Sequence, residues 1–161
     1  MHAKIEHTGR SLLIALPKVP ARVERYLSQN MFRGVLETQR NMQTLAPKAS
    51  SFLTNAIQVN QINPLTWELV AATNYGTAVE EGTTGGGMAP VQSILDWIKQ
   101  KHITPNDPDM DLESLAFLIQ RRIQTNGSKA QPFMQPGLKQ TIPRLNLFIS
   151  QGIQTGLHAK D

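Results

Sequence analysis

Residues 19–47 read VPARVERYLSQNMFRGVLETQRNMQTLAP, and this segment carries the clearest structural pattern of the chain. Charged and polar residues separate its apolar side chains, which recur at spacings close to the period of an α-helix. The pattern predicts one long amphipathic helix that ends before Pro47. Its apolar positions are Val23, Leu27, Met31, Val35, Met42 and Leu45.

The sequence that follows the helix alternates between apolar and polar residues, as in β-strands. Leu53, Ile57 and Val59 share one parity, and Thr66 to Ala72 forms a second alternating run. Asn63-Pro64 between the two runs favours a tight turn, so the pattern predicts an antiparallel hairpin. The run from Tyr75 to Glu81 predicts a third strand.

Residues 1–17 are predicted to form an N-terminal arm, either extended or a short strand that stops at Pro17. Its apolar run, Leu12 to Leu16, is shorter than the about 7–15 residues of a signal-peptide core or the roughly 20 of a membrane span. We therefore expect a soluble protein that is made without export and does not contact a membrane. Residues 18–161 are expected to form a single domain.

Two helices are predicted within residues 90–127, as an insertion in that domain. The first follows Pro90, and the second begins at the capping residue Asp111 and closes at Asn126-Gly127. A last helix follows Pro136, with a kink or a late start at Pro143. The expected fold class is α+β: a small antiparallel sheet, made of the hairpin plus one or two further strands, packed against a long N-terminal helix and a C-terminal helix, with an inserted helical hairpin.

The candidate reactive groups do not form a catalytic or metal-binding pattern. Glu80 and Glu81 would point to opposite faces of a strand, and the four histidines have no ligand spacing. The chain has no cysteine. The segment Gly82 to Gly87 has no side chain able to hold it in one conformation, so we interpret it as a mobile loop. Met88-Ala89-Pro90 follows it in place of the lysine-serine/threonine pair of a phosphate-binding loop. The sequence thus predicts no catalytic site, no cofactor and no metal, and an enzyme is the least favoured class of function.

Three short motifs resemble the tail-completion and minor-tail families of tailed bacteriophages. They are Ala46-Pro47 at the end of the first helix, Glu80-x-Gly82-Thr83 after the hairpin, and Pro132-Phe133-x-x-Pro136 before the last helix. The resemblance covers about residues 20 to 156.

This resemblance implies a structural virion protein of the phage neck or tail end, which completes the tail or joins it to the head as a homohexameric ring. The implied partners are the tail tube or tail terminator and the head-tail connector, with at most a passing contact with genome DNA. The implied locations are the virion and, during assembly, the host cytoplasm. The expected interface residues are Tyr75, Glu80, Glu81, Gly82, Thr83, Gly85, Gly86, Gly87 and Phe133.

The alternative hypothesis is a nucleic-acid-binding module. The net charge is +4, yet the basic residues are scattered along the chain and form no basic tract. If the two inserted helices pair, Lys99 and Lys101 could join Arg121 and Arg122 in binding phosphates.

Overall fold

A computed structural model of the chain describes residues 4–8, 11–15, 20–48 and 51–159. It confirms the predicted α+β fold, in which the long N-terminal helix packs on the C-terminal helix and two further helices are inserted. The elements in chain order are β1 (Lys4–Thr8), β2 (Ser11–Ala15), α1 (Ala21–Leu45), α2 (Ser51–Asn55), β3 (Ile57–Asn63), β4 (Thr66–Ala71), α3 (Gly76–Glu81), α4 (Val91–Gln100), α5 (Leu112–Asn126) and α6 (Met134–His158).

Helix α1 has the length that its apolar repeat predicts. Pro20 precedes the first helical residue, and Ala46 leaves the helical conformation with a ψ of 137°. Ala46 stands directly before Pro47, and a residue in that position is disfavoured in the helical region because of the proline ring. The predicted apolar stripe is buried from Val23 at 6% exposure to Met42 at 0%, whereas its last member, Leu45, is 37% exposed at the end of the helix.

Helices α1 and α6 lie antiparallel and in very close contact. A Cβ atom added at Gly137 would lie 2.9 Å from the backbone nitrogen of Met42, near the end of α1. At the other end of the pair, a Cβ added at Gly156 would lie 2.7 Å from Cα of Val23. Glycine at these positions therefore allows the two helix backbones to approach each other more closely than side chains would permit.

The sheet has four strands in the order β1-β2-β4-β3, and every neighbouring pair is antiparallel. The hairpin of β3 and β4 is confirmed, and the Asn63 side chain accepts a hydrogen bond from the Leu65 backbone nitrogen at 3.1 Å in its turn. Trp67 and Leu69 of β4 are buried in the main core, whereas Glu68 between them is only half-buried. One face of the hairpin thus packs against the helices, as its alternation predicted.

The two additional strands come from a part of the chain where the sequence predicted only an arm or a short strand. Strand β2 pairs with β4, and β1 pairs with β2. The backbone of residues 4–8 and 11–15 is therefore part of the same sheet as the hairpin. Residues 1–3, 9–10 and 16–19, which include the predicted boundary after residue 17, lie outside the described part of the chain.

Two segments that the sequence assigned to strands are helical. Leu53 lies in the short helix α2. Its four-residue separation from Ile57 was ambiguous, because residues i and i+4 point to the same side in a helix as well as in a strand. The predicted third strand is also wrong, since Gly76–Glu81 forms helix α3. The β-branched Thr77 and Val79 fit a strand, whereas Ala78, Glu80 and Glu81 are good helix formers, so the local sequence did not decide between the two.

The inserted helices α4 and α5 are confirmed and share a hydrophobic cluster of their own, with Ile94, Ile98 and Ala116 at its centre. Asp111 caps α5 by accepting a hydrogen bond from the Ser114 backbone nitrogen at 2.6 Å.

Helix α6 begins at Met134 and runs through Pro143, so the predicted late start is wrong. Pro143 has no backbone N–H, so the carbonyl of Lys139, four residues earlier, has no donor within the helix. Both residues are exposed, and this carbonyl can bind water instead.

Candidate assembly surface

The carboxylate of Glu80 binds the beginning of α6. Its oxygens accept hydrogen bonds from the backbone N–H groups of Phe133 at 2.7 Å, Met134 at 2.9 Å and Gln135 at 3.0 Å. The first N–H groups of a helix have no partner within the helix, and the helix dipole favours a negative charge there. Phe133 provides no side-chain cap, so Glu80 takes over this role from a distant part of the chain.

Several of the expected interface residues are covered by the chain itself. Glu80 is 5% exposed and Phe133 is fully buried in the main core. Tyr75 precedes α3, is half-buried and packs against that core, whereas Glu81 is exposed. The side chains of Glu80 and Phe133 therefore serve the internal packing of the described structure and offer no surface to a partner.

Thr83 connects the glycine-rich segment to the end of the inserted helices. Its backbone N–H and C=O groups form an antiparallel bridge with those of Ser128, at 2.9 and 3.1 Å, and the two hydroxyl oxygens lie 3.1 Å apart within hydrogen-bonding distance. Gly82 beside it has a φ of 75°, and a Cβ there would lie 2.7 Å from backbone atoms. The expectation that no side chain holds this segment is thus wrong at Thr83.

The remaining glycines of the segment are only partly attached. Gly86 donates a backbone hydrogen bond to the Gln124 carbonyl at 2.7 Å, and Gly85 has a φ of 100° that favours glycine. Gly86 and Gly87 are exposed, and Met88 after them is 65% exposed. Of the expected interface residues, Glu81, Gly86 and Gly87 are therefore the ones that lie open to solvent.

Gln120 and Ser128 are structurally important residues that were not predicted from the sequence. The Gln120 side chain is 7% exposed and donates a hydrogen bond to the Ala89 carbonyl at 2.7 Å. One signal was available, because Gln120 lies four residues after Ala116 and thus on the buried face of α5. Its bond to Ala89 places the start of α4 beside the C-terminal half of α5, so the two helices are antiparallel.

This antiparallel arrangement separates the four basic residues of the nucleic-acid hypothesis. Lys99 and Lys101 lie at the end of α4, about 12 Å along the helix axis from its start. Arg121 and Arg122 lie on the C-terminal half of α5, near the start of α4. All four side chains are exposed, and the lysine pair and the arginine pair lie towards opposite ends of α4.

Within the described residues, no group of three or more His, Cys, Asp or Glu side chains is arranged to hold a metal ion. Nor does that part of the chain contain a helix with the length and apolar character that a bilayer crossing requires. Hydrogen bonding to the Ser114 backbone lowers the pKa of Asp111, which reflects its role as the cap of α5.

Comparison with protein-family models, with curated proteins and with solved structures found no match for this chain.

Proposed function

We propose that this chain is a structural assembly protein of a tailed bacteriophage that forms a homohexameric ring at the neck or tail end, where it completes the tail or joins it to the head. The motifs around Ala46-Pro47, Glu80 and Phe133 suggest the family, and the arrangement of the sheet supports the ring. The proposed partners are the tail tube or tail terminator and the head-tail connector. The proposed location is the virion, with assembly in the host cytoplasm, and no enzymatic activity is part of this role.

The observation that carries the proposal is the direction of the two edge strands. Strands alternate in direction across the order β1-β2-β4-β3, so β1 and β3 run opposite to each other. If β3 of one copy paired with β1 of the next, the contact would be antiparallel and every copy would keep the same orientation. Such a head-to-tail contact is heterologous, which is the type of contact that generates a ring when the rotation between successive copies closes.

The β3 edge also lacks the features that usually prevent edge pairing. Residues 57–63 contain no charged residue and no proline, although natural edge strands are commonly protected by lysine, proline or bulges. Ile62 is 58% exposed on this strand, and the one irregularity, between Gln61 and Asn63, lies at its end. An unprotected edge supports pairing with another chain.

The backbone pattern indicates which residues of β3 would make the contact. Ala72 donates a hydrogen bond to the carbonyl of Ala56, which stands opposite it, so alternate residues of β3 face β4. The intervening residues, Ile57, Val59 and Gln61, direct their N–H and C=O groups outward. The Ile57 carbonyl accepts a hydrogen bond from Gln39 of α1 at 2.7 Å, which leaves Val59 and Gln61 as the outward pairing positions.

The test is the mass of the purified protein and of a variant that cannot pair at this edge. We expect the wild type to form hexamer-sized particles by light scattering after gel filtration. Gln61→Pro removes an outward N–H group from an exposed position and should leave monomers, whereas Gln61→Ala keeps the N–H group and should still form rings. A strictly monomeric wild type that is absent from virions would refute the proposal.

A genetic test addresses the location. Removal of the gene should produce separate heads and tails, and its product should be visible at the neck or tail end in virion images. Complete, joined virions that lack the protein would be incompatible with this role.

A further inference from the structure

Helix α5 carries an apolar pair on its outer side. Phe117 is 54% exposed and Leu118 is 48% exposed, whereas Ala116 on the inner side is fully buried against α4. No described residue covers these two side chains further. Two large adjacent apolar residues on the outer face of an inserted helical hairpin favour a contact with another molecule.

The charges around Phe117 are arranged symmetrically and with opposite signs. Glu113 lies four residues before Phe117 and Arg121 four residues after it, so the three side chains form one ridge along the helix. Each charge is about 6 Å from Phe117 along the axis. Both are exposed, and within the described part of the chain neither takes part in an ion pair.

A depression in the surface adjoins this ridge. It is open to solvent and is lined by Asp111, Glu113, Ser114, Phe117 and Leu118. Its position beside Phe117 provides space for an aromatic side chain from another molecule.

We propose that this face of α5 binds the same face of a second copy of the chain, with the two helices antiparallel about a two-fold axis through Phe117. In this arrangement Glu113 of each copy lies opposite Arg121 of the other, so both ion pairs form at once. Phe117 of each copy enters the depression of its neighbour. A parallel arrangement would bring like charges together, so the order of charges selects the antiparallel one.

This contact differs from the proposed ring contact in its symmetry. Edge pairing through β1 and β3 is heterologous, whereas the α5 contact is isologous, because the same patch is used on both copies. Added to a ring, a two-fold contact would join two rings, and the repeated pairs would reinforce one another. This last consequence rests on the proposed function, but the contact between two copies does not.

A single pair of helices buries less than the about 1,200 Å² of a standard interface, so the contact between two isolated copies should be weak. The full-length chain should therefore be studied by sedimentation equilibrium up to about 1 mM, in low salt. We expect particles with twice the mass of the basic unit, whether this is a monomer or a ring, and we call this association doubling. The fraction of doubled particles should rise with concentration.

Charge reversal provides the decisive test. Glu113→Arg and Arg121→Glu should each place like charges opposite one another and weaken doubling by about tenfold or more. A mixture of the two variants should double again, since one partner then presents two arginines and the other two glutamates. Phe117→Ser should also prevent doubling, and thermal unfolding should show that each variant is folded.

Matched controls separate this contact from general effects. Lys139→Glu makes the same charge change as Arg121→Glu, at an exposed position of α6. Phe52→Ser removes a phenylalanine that is 64% exposed on α2. Neither should affect doubling. The proposal is overturned if the wild type never doubles, if the reversals have no more effect than the controls, or if the mixed variants do not associate.

The remaining outcomes also discriminate between the two proposals. Rings that form but whose doubling is insensitive to changes in α5 would leave the ring proposal intact and refute this one. Doubling of monomers in the absence of rings would support the two-fold contact and refute the ring. If Arg121→Glu instead abolished duplex DNA binding and left the mass unchanged, the basic end of α5 would belong to a nucleic-acid site and the two-fold contact would be refuted.

Discussion

The carboxylate of Glu80 accepts a hydrogen bond from the backbone N–H of Phe133 at 2.7 Å, although the two residues are 53 positions apart in the sequence. This bond connects α3 to the first turn of α6 on either side of the inserted helices. A charged acceptor that binds several otherwise unpaired N–H groups makes a strong contact in a buried setting. The Glu80 motif and the Phe133 motif thus meet at one structural site.

Replacement of Glu80 should destabilise the protein substantially. Glu80→Ala leaves the buried N–H groups of Phe133 and its neighbours without an acceptor, and we expect a loss of about 2–4 kcal/mol in the free energy of unfolding. Urea unfolding followed by circular dichroism would measure it. Glu81→Ala, at the adjacent exposed position, should change the stability by no more than about 0.5 kcal/mol. Equal effects of the two variants would contradict the capping role.

The close contact between α1 and α6 predicts an effect opposite to helix propensity. Alanine is usually more stable than glycine within a helix by about 1 kcal/mol. In Gly156→Ala, however, the new Cβ would lie 2.7 Å from Cα of Val23, and the helices would have to separate. We expect a net loss of about 1–3 kcal/mol in unfolding free energy.

Gly87→Ala is the matched control for this glycine, because no atom lies within 4 Å of a Cβ at that position. It should be neutral or slightly stabilising in the same denaturation experiment. A stabilising Gly156→Ala variant would show that the helices are not in the close contact described.

The extent to which the fold was predictable depends on the range of the interactions involved. The periodicity of α1 and the alternation around Trp67 are local signals, and both were interpreted correctly. Helix α3 was missed because its local residues are of mixed propensity, while the contact of Glu80 with Phe133 comes from far along the chain. For β1 and β2 the sequence predicted an arm or a short strand but not its place in the sheet, since the pairing of β2 with β4 and of β1 with β2 is not visible in local sequence.

The candidate site was less predictable than the fold, for a physical reason. A motif identifies which residues matter but not whether a side chain faces solvent or the core. Glu80 and Phe133 were expected at a subunit interface, whereas the structure buries both within the chain. The outer face of α5 around Phe117 gave no sequence motif, because exposure is a property of the packed structure.

Asp111 predicts an acid-dependent component of stability. Its bond to the Ser114 backbone lowers its pKa below the ordinary value of 3.8, so its carboxylate is favoured in the folded state. The contribution is fully present above the pKa of the unfolded chain and is lost as the pH falls through the lower pKa of the folded state.

The comparison that tests this uses Asp111→Ala and the wild type over a range of pH. We expect the variant to be less stable at neutral pH and the difference in melting temperature to shrink in strongly acidic solution. Asp111→Asn retains an acceptor without a titratable charge, so the difference between Asn and Ala should not depend on pH. A difference between the wild type and Asp111→Ala that stays constant down to the most acidic pH would contradict the role of the carboxylate.

The nucleic-acid hypothesis makes a separate prediction that depends on the separation of the basic residues. Lys99 and Lys101 lie at the end of α4, whereas Arg121 and Arg122 lie beside its start, so the four residues do not form one compact cluster. We expect duplex DNA binding to be weak, and the double change Arg121→Ala and Arg122→Ala to reduce the slope of log affinity against log salt by no more than about 2. Fluorescence anisotropy at several salt concentrations measures both quantities. Tight binding that is lost in this double variant would favour a nucleic-acid-binding module over a ring component, and a matching loss on changing Lys99 and Lys101 would show that all four residues act together.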